Sequence, residues 1–444
     1  MAKHRWLLAW GLGSIAAGAA SLLVPLYIVQ LGATPFQLGL LGAVTAFVGA
    51  PGALFWGRLA DRTARPRVLV LFSLVGVAAL LAAAPLLTSI PVLIAVNAAL
   101  WLVFAAAGPV LTLLVVADVP ESAWNREIAL LNTYQGYGWA GGLLLGIVWS
   151  ATAGRVLAPN LAQQGLFVAA SAAAALAAVL MVRWMPSPSA SRLADVDPER
   201  VARLLSAGRR GVRGATFLFN PTRLYWSTRT VRPRALADRF TPTLATYFLA
   251  VVLFFTGFAA FFAPLPLYLT DAGFTAEAVF GLYLVSSLGS AVFYSGAGRL
   301  SGRYDLRGLQ AGSLGVRSVA MPLVVVAGGV AGELAGTLAV GALFAIIGLS
   351  WAVIAVTAGT IVTRVAPAAV RGEALGVYAA LSTLATGIGS VLGGTLADVA
   401  GFGVAFLGAG AAVLAGALLV GSLRGLSPDG ALGRATVPRP SDHE

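Results

Sequence analysis

Stretches of twenty or more mostly apolar residues recur along this chain, and no other feature restricts its folding so severely. They lie near 6–31, 36–56, 68–88, 91–117, 128–152, 165–184, 243–269, 277–298, 311–330, 334–362, 374–397 and 401–423. At 1.5 Å rise per residue each reaches across a hydrocarbon layer of about 30 Å, where only a helix satisfies its own backbone hydrogen bonds within one segment. Composition agrees: 59% of the 444 residues are hydrophobic and only 10% are charged, against roughly 25% charged in soluble domains. The expectation is an all-α membrane protein with twelve transmembrane helices. Lys3 and Arg5 precede the first run and Ala17-Gly18-Ala19 imitates a cleavage site. The run is nevertheless too long for a signal-peptide core, so it is read as retained.

The net charge of +12 is spread through connections beside the apolar runs rather than gathered on a soluble face, which argues against nucleic acid as partner. With the N-terminus cytoplasmic, only Arg155 falls outside and only Arg317 stands within a run, as the positive-inside bias requires. Both termini are then cytoplasmic in a multi-pass protein of the plasma membrane, with Asp271, Glu277, Glu333 and Asp398 in the outer connections. Cysteine is absent and histidine occurs only at positions 4 and 443. No nucleophile, nucleotide-loop or metal-ligand pattern stands out, so no enzyme, cofactor or metal is expected. The partners expected are a small-molecule substrate and membrane lipid, for a chain working as a monomer.

The chain repeats itself. PLYIVQLGAT at 25–34 and PLYLTDAGFT at 266–275 align at an offset of 241, which GRLADR at 57 and GRLSGR at 298 keep; Pro120, Gly142 and Gly146 meet Pro367, Gly389 and Gly393 at 247. Two six-helix bundles, 1–184 and 241–424, related by a pseudo-two-fold axis along the membrane normal, are expected. Between them 185–240 is a basic cytoplasmic linker, where Val201, Leu204, Leu205 and Val212 beside several arginines fit either an amphipathic surface helix or a solvated connector. Residues 425–444 form a cytoplasmic tail.

Charge is concentrated in GRLADRTARPR at 57–67. Asp61 and Arg62 are costly in hydrocarbon, about 2.5–3.5 kcal/mol each, so the stretch is expected as the cytoplasmic turn between the second and third helices. Asp61 can pair with Arg126 at the start of the fifth helix or with a helix N-terminus of the other half. These residues resemble the signature loop of the major facilitator superfamily, G-x-L-[AS]-D-R-x-G-R-[RK], with Ala64 in place of the second glycine. The resemblance implies alternating access, in which two bundles rock about a central site. It also implies that the loop with Gly57, Asp61 and Arg62 latches the cytoplasmic side against the start of the eleventh helix, RGEALG at 371–376. There Arg371 and Glu373 stand, and Glu373 can meet Arg303.

Gly138, Gly142 and Gly146 stripe the fifth helix and Gly389 and Gly393 the eleventh, as helices that approach closely or slide require. The antiporter signature G-P-x-x-G-G is met only by Gly141 and Gly142, and no acid stands mid-run. Polar and aromatic candidates for a central cavity are Ser14, Tyr27, Asn97, Tyr134, Gln135, Phe258, Tyr283, Trp351 and Thr357; of these Tyr27, Asn97, Tyr134, Gln135, Phe258 and Trp351 are the substrate-binding candidates. Arg317 reads as a stem snorkelling to the cytoplasmic interface; facing a cavity instead, it would suit an anionic group. The phenylalanines of the seventh helix, 254, 255, 258, 261 and 262, suit a hydrophobic substrate and, more commonly, lipid contact. The function expected is secondary transport of a small neutral or apolar organic molecule, outward, with import or uniport of a small nutrient as the alternative and a non-transporting sensor or scaffold as a third reading.

Overall fold

The computed structural model describes residues 4–62, 66–117, 119–185, 241–329, 333–367 and 370–423. The connector from 186 to 240, the tail after 423 and the Asp61 and Arg62 side chains lie outside the described residues. The described residues are helical throughout, without a strand. Among the described residues ten helices are long and apolar enough to cross a membrane, one of them the 52-residue Arg371–Ser422. That one is two helices meeting at Gly401, whose φ of 83° and ψ of 162° admit glycine and disfavour any side chain. Glu121–Val156 occupies the place of the fifth run. The helices therefore accord with twelve spans in chain order.

The repeat is visible in backbone detail. The first span, Arg5–Gln30, ends at Gly32 with φ 85°, and the seventh ends at Gly273 with φ 88°. Ala33 N–H donates to the Ile28 carbonyl and Phe274 N–H to the Leu269 carbonyl, the same closing bond 241 residues apart. Next along the chain, Thr34 caps the second span through Gln37 N–H and Thr275 caps the eighth through Ala278 N–H. Those two spans, Pro35–Arg62 and Ala276–Arg303, are each 28 residues long. At about 42 Å they outreach the hydrocarbon. This corrects one expectation: residues 57–62 are the last turns of the second helix, not a turn, because alanine, leucine and arginine continue a helix that has already left the oil.

Prolines set the breaks. The fourth span divides into Ile90–Ala105 and Ala107–Val116, since Pro109 has no N–H for the Ala105 carbonyl. The seventh divides into Pro242–Phe262 and Leu265–Asp271 around Pro264 and Pro266.

In the first half the first span packs on the fifth and sixth (Pro159–Trp184), the second on the fourth, and the third (Pro66–Ala83) on the sixth. In the second half the seventh packs on the eleventh and twelfth, and the tenth (Glu333–Val365) on the eighth and ninth (Leu306–Gly328). Glycine sets the closest crossings: a Cβ on Gly142 would fall 2.3 Å from the Ile15 carbonyl oxygen, and one on Gly389 2.3 Å from that of Thr256. Ile15 and Thr256 are themselves 241 apart, so both bundles use one crossing. The seventh-span phenylalanines Phe254, Phe255, Phe258 and Phe261 are buried in this packing instead of facing lipid, because the eleventh and twelfth spans cover that helix.

Gly142→Leu and Gly389→Leu are each expected to destabilise by about 1–3 kcal/mol, since rigid backbone blocks the new side chain. Gly49→Ala, which meets open space, is expected to leave the thermal midpoint in detergent unchanged or raised. Equal midpoints for all three variants would refute the crossing.

Candidate functional site

The two halves meet through the second span against the eleventh, the fifth against the eighth, and the first against the end of the seventh. These contacts gather on the side away from the chain's first residue. A Cβ on Gly39 would lie 2.5 Å from the Ser390 carbonyl oxygen, and one on Gly394 2.5 Å from that of Pro35. The matching contact of the other pair is filled differently: the Phe280 ring occupies the notch at Gly146, 2.4 Å from where a Cβ would stand. On the termini side, residues 377–383 of the eleventh span are half-buried, with Val377, Tyr378 and Leu381 packed on the apolar core. The closest backbone contacts between the bundles therefore lie on the far side.

Beneath those contacts lies a cavity of about 280 Å³, at the small end of ligand pockets. Trp101, Trp139, Trp351, Phe262 and Tyr283 supply its apolar walls; Asn97, Thr45, Ser286, Ser287 and Arg317 are among its polar ones. Pro25 and the break of the seventh span, at Ala263 and Pro266, also line it, so that helix break sits where it borders the cavity. Asn97 is held by a 2.9 Å bond from Nδ2 to Thr45 Oγ1.

The six binding candidates are distributed unevenly. Asn97 and Trp351 stand in the cavity wall. Phe258 is fully buried one layer behind, edge-on to Trp351 at 6.1 Å. Tyr134 and Gln135 are half-buried away from the cavity wall, Gln135 accepting a long 3.5 Å bond from Trp10 Nε1. Tyr27 is remote from the cavity: its hydroxyl donates to Leu87 O at 3.2 Å, and its repeat mate Tyr268 donates to Val325 O at 3.1 Å. Both tie a span end to a neighbouring span. Ser14 and Thr357 donate to their own helices, at Trp10 O and Val353 O.

Arg317 is the residue that sequence reasoning misplaced. It lies in the middle of Leu306–Gly328, is 2% exposed and reaches the cavity instead of the interface. Which way an arginine points from a helix depends on neighbours, and Phe258, 4.2 Å from the guanidinium, draws it inward by cation–π attraction. Its company at helical spacing, Gln310, Leu314 and Met321, is buried on the same face, a signal the sequence did carry.

At the termini side, Gly57 is buried while Arg126, Arg303 and Arg371 are exposed. Glu373 stands in the first turn of its helix, 7% exposed, and its Oε2 has no hydrogen-bond partner among the described residues. The expected Glu373–Arg303 pair is not formed: Arg303 is exposed at the end of its helix, whereas the burial of Glu373 keeps its carboxylate away from that surface. No group of histidine, cysteine and acids that could hold a metal occurs among the described residues.

Two helical bundles closing over a central cavity define a membrane carrier. The family model of the Major Facilitator Superfamily matches residues 6–385, and the chain belongs to that family. It is a secondary transporter and not an enzyme. Among solved structures, a point mutant of the nucleoside transporter NupG is similar with a TM-score of 0.72 at 12% identity, over 96% of this chain and 100% of that one. The xylose transporter XylE from E. coli, in a partially occluded inward open conformation, gives 0.59 at 14%, over 94% and 96%. The human organic anion transporter MFSD10 gives 0.53 at 16%, over 94% and 98%.

Because the chain has no cysteine, one introduced thiol is the sole target for labelling. Gly146→Leu should push Phe280 out of its notch and open the far side. Labelling of Ser287→Cys by an impermeant maleimide from that side is then expected to rise several-fold, and Phe280→Ala should reverse the rise. Unchanged labelling would show that this contact does not seal the cavity.

Proposed function

We propose that the protein works as a monomer in the plasma membrane, both termini cytoplasmic, and carries a small organic molecule with an apolar, aromatic-compatible body outward by alternating access. The observation that carries this is the cavity between the bundles, walled by three tryptophans, with close contacts between the bundles on its far side. Units 1–184 and 241–424 rock about it, with 185–240 and 425–444 on the cytoplasmic face. Uptake is the second reading, favoured by the similarity to a nucleoside transporter and a proton:xylose symporter.

The latch belongs to the opposite state. When the far side opens, the termini side must close, and Gly57, Asp61 and Arg62 come against the start of the eleventh span, where Arg371 and Glu373 stand; Arg126 and Arg303 flank the two copies of the motif. Glu373 supports this reading, since a buried carboxylate oxygen without a partner is costly and gains most from a donor that arrives with closure. Gly138, Gly142, Gly389 and Gly393 hold each bundle rigid, and Gly146 serves the seal.

Counterflow of labelled nucleosides, pentoses and aromatic monocarboxylates in proteoliposomes, with and without a pH gradient, tests the reading. Saturable flux is expected for one class, falling at least several-fold in Asp61→Asn and abolished in Gly142→Trp. Flux unaltered in Asp61→Asn removes the latch; flux only from the far side inward replaces export by uptake.

A further inference from the structure

Arg317 is supplied with far less than a buried guanidinium needs. Nη1 donates to the Ile347 carbonyl at 3.2 Å, while Nε is buried with no hydrogen-bond partner. Phe258 lies under the guanidinium at 4.2 Å, and Phe262 and Trp351 stand 5.6 Å away. Arginine remains protonated and offers five N–H donors, so one carbonyl and a ring face leave both charge and donors unmatched. The ordinary remedy is an ion pair with a carboxylate on a neighbouring helix. None exists among the described side chains, whose acids sit at helix ends: Glu127, Asp305 and Glu373 on the termini side, Asp271, Glu277 and Asp398 on the far side. A donor for the Ile347 carbonyl alone needs only a neutral amide. The positive charge is what calls for explanation, and the cavity lies in front of it.

We infer that Arg317 binds an anionic head group, a carboxylate or similar oxyanion, on a substrate whose flat apolar body lies against Trp101, Trp139 and Tyr283 in the cavity wall. The planar fork of the guanidinium matches the two oxygens of a carboxylate. The ring of Phe258 and the carbonyl of Ile347 fix the plane of that fork from behind, which makes Phe258 a positioning residue. This rests on the transport reading and narrows its cargo to a monoanion.

The test uses the purified full-length protein and a charge series of one shape: benzoate, benzamide and benzylamine, followed by intrinsic tryptophan fluorescence and thermal shift. Iodide and acrylamide quenching provides a readout independent of substrate shape. In the wild type, benzoate should bind at least tenfold more tightly than benzamide and benzylamine not at all, or, if benzene rings do not fit, iodide should still quench the emission lost in Trp351→Phe several-fold better than acrylamide does. Arg317→Gln should erase both preferences, Arg317→Lys should keep a weakened one, and Arg155→Gln, on an exposed surface, should change neither. A wild type that shows neither preference overturns the inference without recourse to a variant, as does a preference that survives in Arg317→Gln. Counterflow that persists while the anion preference is absent sinks this assignment and spares the transport reading; an anion preference without any counterflow does the reverse.

Discussion

Hydrocarbon offers backbone amides nothing to bond to, and every level of this structure follows from that poverty. Each long apolar run becomes a helix because a helix alone completes its own bonds. Hydroxyls inside the bundles obey the same demand locally: Ser14, Thr357, Thr386 and Ser390 all donate to carbonyls of their own helices. Where proline removes a donor, at the fourth and seventh spans, the chain breaks, and the seventh breaks beside the cavity, where polar groups and water can serve the freed carbonyls. Charge is driven to the ends for the same reason, which makes one buried arginine conspicuous.

With lipid tails as apolar as leucine, burial alone does little to join helices, so shape does it. Glycine at matched positions brings carbonyls of one span against the backbone of another, at Gly142 in the first bundle and Gly389 in the second. The same device recurs between the bundles at Gly39 and Gly394, whereas the pseudo-symmetric contact uses the Phe280 ring in the notch of Gly146. The first kind joins helices within a bundle; the second kind joins the two bundles.

Much of this was legible in the residues. The spans follow from hydropathy, and the repeat from fixed offsets that return as paired Gly32 and Gly273, Thr34 and Thr275, Tyr27 and Tyr268. The site was far less so. Asn97 and Trp351 could be picked as polar or aromatic residues in apolar helices, but Tyr27 has the same credentials and instead ties helix ends together. Sequence shows which residue types a helix carries; it does not show which face looks into the gap between bundles, because that depends on packing among helices distant in the chain. Arg317 illustrates the point: its direction is decided by Phe258, 59 positions earlier in the numbering. The serines at 286 and 287 gave no warning either, since serine is ordinary in membrane helices.

Gly401 joins the eleventh and twelfth spans through a single non-helical residue, so the two helices form a tight hairpin. Below it, the Ala409 carbonyl abuts Gly257 of the seventh span, and Gly410 lies against the Ser318 carbonyl of the ninth. Ser318 is the immediate neighbour of Arg317. A chain of close contacts therefore runs from Ser390 and Gly394 at the far-side contact, around the hairpin, to the peptide beside the buried cation, so both regions rest on one packed helix pair.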